Sequence, residues 1–118
     1  MIEYITPVTT VTGNATQTGT DVSAWATQWT LCLEVLSMSP DISAQIVFQD
    51  STDGFATDIL AGPTATISGG ITTKGVFRLS WKFQDWPDLR IGVTAAKLRT
   101  VVQRFAGSGS LTIRSWIE

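Results

Sequence analysis

The chain has 118 residues, of which 10 are acidic and 8 basic, with one cysteine and no histidine. That is one domain's length, and its charged fraction of 15% is low beside about 25% in an average protein. The missing histidine excludes a Ser-His-Asp triad, a Cys-His dyad and a histidine-ligated metal, and the lone Cys32 excludes an intrachain disulfide or a thiolate zinc site.

Residues 6–20, TPVTTVTGNATQTGT, are uncharged and Thr-rich. Thr favours extended backbone, but this run offers little to bury. It reads as an N-terminal arm or an edge strand with a turn at Gly13-Asn14. A period of two follows. In Thr27–Leu36, Trp29, Leu31, Leu33 and Val35 share one face, and Gln28, Thr30, Cys32 and Glu34 the other. Met38-Ser39-Pro40-Asp41 ends that strand. Ser43–Gln49 is the next, with Ala44, Ile46 and Phe48 in phase, and Asp50–Gly54 is a turn. Ile59-Leu60 and Thr64–Ser68 read as two short strands around Gly62-Pro63, and Gly69-Gly70 breaks the chain again. Val76–Phe83 is the best amphipathic strand, with Phe77, Leu79, Trp81 and Phe83 on one face. After the loop Gln84–Asp88, Leu89–Thr94 is expected as a strand. Ala95–Arg104 has some helical spacing, but its β-branched content and setting favour a strand. Gly107-Ser108-Gly109 turns the chain into a last strand, Leu111–Ile117. About eight short strands without a convincing helix predict an all-β fold. The expected architecture is an antiparallel β-sandwich or jelly roll over residues 21–118, carrying an extended arm or edge strand at 1–20.

The charges are split along the chain. Residues 1–73 hold seven acids and no base, while residues 74–118 hold all eight bases and three acids. Either the two halves neutralise each other across strands, or the subunit has one acidic and one basic surface suited to self-association. Nucleic acid is not an expected partner, because the sequence pI is about 4.9 and the bases do not cluster. No membrane span is expected, since no uncharged apolar run nears the roughly 20 residues a bilayer needs. MIEYITPVTT shows no signal-peptide pattern.

Residues 50–58, DSTDGFATD, miss the calcium-loop spacing, with Thr52 at position 3 and Ala61 at position 12. A turn using Asp53-Gly54 is expected instead. Asp85 and Asp88 flank Trp86-Pro87 as a carboxylate pair, which reads as solvated acids of a Pro-rigidified turn rather than a catalytic pair. Trp86 is either a lid on the core or an anchor for a partner. Trp29 and Trp81 are in phase with apolar faces, while Trp116 is in phase with Arg114 and points outward. Cys32 is expected as a buried structural thiol. No enzyme, cofactor or metal is expected.

The whole pattern resembles a small virion protein of tailed bacteriophages, of the capsid cement or decoration type. The resemblance rests on the arm at 6–20, the jelly-roll-like strand series at 27–117 and the turn FQDSTDGF, Phe48–Phe55. It implies binding to the outside of an assembled capsid, with a major capsid protein or another virion protein as partner. It also implies a homodimer or homotrimer located in the virion and made in the host cytoplasm. The expected contact residues are Thr6, Pro7, Val8, Thr9, Thr10, Val11 and Thr12 of the arm, Trp86, and the bases Arg90, Arg99 and Arg114. A free arm would be trimmed by protease and protected on assembly. The alternatives are a carbohydrate-binding sandwich or a tail or neck component. The first would use Trp25, Trp86 or Trp116 with Asp53, Asp85 or Asp88.

Overall fold

The computed structural model describes residues 2–25, 28–69 and 77–118. It is an antiparallel β-sandwich. Its strands are β1 (Glu3–Val11), β2 (Ala15–Thr16), β3 (Thr20–Asp21), β4 (Thr30–Met38), β5 (Ser43–Ser51), β6 (Leu60–Ser68), β7 (Phe77–Lys82), β8 (Lys97–Ala106) and β9 (Leu111–Ile117). One sheet has the order β1-β9-β4-β7. The other has the order β2-β8-β5-β6, with β3 also on β8. Among the described pairings only β5–β6 joins consecutive strands.

Alternation builds the core as expected. Leu31, Leu33 and Val35 of β4 and Leu111, Ile113 and Ile117 of β9 are buried in the first sheet. They meet Ile46 and Phe48 of β5, Ile67 of β6, and Leu98 and Val102 of β8. Phe48 lies edge-on to Trp81 of β7, ring centroids 5.6 Å apart. The buried hydroxyls of Thr100 and Ser115 bridge the two sheets at 2.8 Å, so each satisfies the other in the dry interior.

Of the run expected as an arm or edge strand, Ala15–Thr16 and Thr20–Asp21 pair with β8 in the second sheet, and Glu3–Val11 forms an edge strand, β1. It pairs with β9, and Ile5, Thr6 and Val11 are buried. The two short strands expected at 59–60 and 64–68 are one continuous strand, β6. Gly62-Pro63 does not break it because β6 ends its sheet and its register slips there, so the missing Pro63 N–H interrupts no ladder. The strand expected at Leu89–Thr94 is absent. Successive turns replace it, with Leu89, Val93 and Ala96 amides bonding back to Trp86, Arg90 and Val93 carbonyls. Leu89 and Ile91 alternate inward like strand residues, but they plug the core without a pairing partner. Phe83 opens a 3-10 turn, Phe83–Asp85, and does not continue β7. The expectations for Ala26, Thr27, Gly70 and Val76 fall outside the described residues.

Part of the charge split is neutralised within the subunit. Every ion pair among the described residues joins an acid of residues 1–73 to a base of residues 74–118: Glu34 to Arg78 and Arg114, and Asp50 and Asp58 to Arg90. The sheet order explains the Glu34 pairs, because β4 lies between β7 and β9 of the basic half, whereas Arg90 reaches Asp50 and Asp58 from the turns between β7 and β8.

Candidate interaction surface

Glu34 points away from the core, between Leu33 and Val35, which point into it. It stands directly opposite Arg78 on β7 and Arg114 on β9. Arg78 donates to Glu34 through Nε and Nη2 at 3.0 and 2.5 Å, and Arg114 Nη2 reaches the other oxygen at 2.7 Å. Glu34 is only 2% exposed although it lies on the outer face. Hydrogen bonds from Arg78, aided by the Arg114 charge and opposed by burial, hold its carboxyl below the usual range.

Trp116 lies under the same arginines, whose guanidinium carbons are 5.4 Å (Arg78) and 5.2 Å (Arg114) from its ring. Its indole N–H donates to Glu118 at 3.1 Å, and Tyr4 of β1 meets the ring edge-on at 6.5 Å. The thiol of Cys32, opposite Trp116, donates to Glu118 at 3.7 Å. Burial first, then the Glu118 charge, push that thiol up to about 11. Trp116 therefore does project from the outer face, but its neighbours cover it to 7% exposure.

The rim of this face is β1. Of the five large apolar side chains exposed among the described residues, Ile2, Tyr4 and Val8 lie on or beside this strand, at 57%, 50% and 60% exposure. The far edge of β1 has no strand beside it among the described residues. Register shifts flank Thr6, and Pro7 supplies no N–H. These are the features that blunt an edge against addition of another strand. Thr9 Oγ1 donates to the Pro7 carbonyl, and Thr10 and Thr112 hydroxyls meet at 2.8 Å. Thr12 follows the strand.

The other expected contact residues lie elsewhere. Arg90 is committed internally: its guanidinium binds Asp50 at 2.6 Å and Asp58 at 2.6 Å, and its amide bonds Asp50 at 2.5 Å. It ties the 86–96 turns to the loop after β5. Arg99 lies over the Phe55 ring at 4.0 Å and donates to Gln49. Trp86 and Trp25 are half-buried against the core, and Asp85 and Asp88 are exposed.

The loop after β5 is tied together by its own hydrogen bonds. Asp53 accepts from Ser51, from the Thr57 hydroxyl at 2.6 Å, and from the Thr57 and Asp58 amides. The Thr57 hydroxyl, then Ser51, hold Asp53 well below the usual carboxylate range, and Arg90, then Thr52, do the same for Asp58. Sequence reading missed Tyr4 and Arg78. The phase of Arg78 was legible, but its place opposite Glu34 depends on a strand pairing that no local pattern encodes. No protein-family model, curated protein or solved structure matches the chain.

Proposed function

We propose that this chain is a non-enzymatic structural subunit of a virion, which binds the outside of an assembled capsid and steadies contacts between its subunits. The observation that carries the reading is the clustering of Ile2, Tyr4 and Val8 on one sheet rim, beside a face built from Tyr4, Trp116, Arg78 and Arg114. Tyr4 and the two arginines, the partly exposed members of that face, are of the residue types that anchor protein interfaces, and the covered Trp116 lies beneath the arginines. The bulged, proline-bearing edge favours docking through side chains over strand addition. The polar groups support the same reading. Asp21, Glu34, Asp53 and Asp58 are all shifted down, the wrong direction for a general acid at neutral pH. Cys32 is shifted up, away from a reactive thiolate. A ligand that binds only the assembled shell stabilises it by mass action, and many copies on one lattice act together.

The test is gradient sedimentation of the source lysate, comparing the native chain with a Tyr4→Glu, Val8→Glu variant. The native chain should migrate with a giant particle at a fixed ratio to one larger shell protein. The variant should keep its circular dichroism spectrum and move to the free fraction. A native chain found only as a small free oligomer overturns the reading.

A further inference from the structure

A second feature lies at the opposite edge of the first sheet from β1. The segments Gln28–Thr30 and Lys82–Gln84 run side by side, with the Phe83 amide bonded to the Trp29 carbonyl at 3.1 Å and Thr30 opposite Lys82. Against them lies a cavity of about 520 Å³, lined among the described residues by these six residues. That volume lies within the roughly 300–1,000 Å³ typical of small-molecule sites. Trp29 and Phe83 form its aromatic part, packed edge to face at 5.7 Å. Trp29 is 3% exposed, and its indole N–H has no acceptor among the described residues. A buried donor left unpaired is costly, so native structures rarely tolerate one without a reason.

The lining chemistry selects a ligand class. Among the described residues no carboxylate lines the cavity, which disfavours a cation. Among the described residues its one charged group is the Lys82 ammonium. The Gln28 and Gln84 amides each donate and accept, and the Thr30 hydroxyl does the same. Donor-acceptor groups of that kind match ring hydroxyls, which also do both. Phe83, half-buried, offers a surface for an apolar C–H face. We propose that this pocket binds one acidic sugar residue, a hydroxyl-rich ring bearing a single carboxylate that pairs with Lys82. Its residues differ from Trp25, Trp86 and Trp116, the aromatics that sequence alone singled out. The site is separate from the β1 rim, so capsid docking through that rim would leave it open.

The test uses the free full-length chain, so its outcome is independent of any particle. The ¹⁵N-labelled protein is titrated with methyl β-glucuronide, with its neutral counterpart methyl β-glucoside, and with acetate. The readouts are the Trp29 indole resonance, assigned through Trp29→Phe, and the side-chain amide resonances of Gln28 and Gln84. The glucuronide should shift all three saturably in the millimolar range. The glucoside should bind about fivefold more weakly, the worth of one exposed ion pair. Lys82→Gln should remove that preference and leave the rest of the spectrum unchanged. The proposal is overturned if no signal saturates, if acetate alone reproduces the shifts, or if the two glycosides bind equally.

Discussion

At the scale of single residues, the buried carboxylate is the most consequential feature. Glu34 has its charge balanced by two arginines that remain partly in solvent, 59% exposed at Arg78 and 30% at Arg114. Truncating Glu34 leaves those guanidiniums facing each other across an empty position. Glu34→Ala should therefore lower the unfolding free energy by about 2–3 kcal/mol, less than for a wholly buried pair because the arginines can rehydrate. Urea denaturation measures this directly. The pH dependence follows from the same groups. Glu34, Asp53 and Asp58 all bind protons less readily folded than unfolded. Their stabilisation is present above the unfolded carboxylate range, near about pH 4, and is lost as pH falls below it. The chain has no histidine, so thermal melts should be flat from about pH 5.5 to 8 and fall on the acid side; a transition near about pH 6.5 would contradict this. Cys32 behaves oppositely. Its thiol keeps its proton up to about 11 in the fold, so its contribution is complete below the unfolded thiol pKa and is lost as pH rises from there through the folded value. Iodoacetamide at neutral pH should label it slowly in the native protein and quickly in urea.

At the scale of elements, the backbone conformations make the sharper predictions. Gly107, in the turn between β8 and β9, has φ +96°, and an added Cβ would collide with the Asp41 carbonyl oxygen. Gly107→Ala should cost more than about 1 kcal/mol. Arg104 holds φ +54° where β8 slips register against β5, a position that suits glycine. Arg104→Gly should be neutral or stabilising by up to about 1 kcal/mol, since relief of strain offsets the added freedom of the unfolded chain. The thermal melt should fall for Gly107→Ala and hold or rise for Arg104→Gly. These elements also mark how far the sequence could be read. The faces of β4, β5, β8 and β9 were legible because each alternates cleanly, with Leu31, Leu33 and Val35 as the clearest case. Leu89 and Ile91 imitate that alternation, yet Arg90 between them is drawn onto Asp50, 40 positions earlier. Glu34 read as a solvent-facing residue because its cover comes from β7 and β9. Of the expected contacts, the β1 residues share one strand, whereas Arg90 and Arg99 belong to the loop network, for long-range pairing is invisible to a local pattern.

At the scale of the whole molecule, the pairing order governs folding. Only β5–β6 is a local hairpin among the described pairs, and the rest join segments far apart in sequence. Loop-closure entropy must be overcome before those contacts form, so refolding should fall in the range of about milliseconds to seconds typical of sandwiches. Stopped-flow refolding checks this, and a microsecond phase carrying the full amplitude would refute it. The strand that matters most is β9. It lies between β1 and β4 and links the two, and Thr30 exchanges both backbone bonds with Glu118 at its end. On the ribosome this has a particular consequence. β1 has as its partner a strand 100 or more positions further along the chain, so Ile5 and Val11 emerge long before the strand that covers them. β4 and β7 can pair earlier, but β1 joins the first sheet only when the segment ending at Ile117 has emerged, and until then it is a client for whatever binds exposed apolar strands.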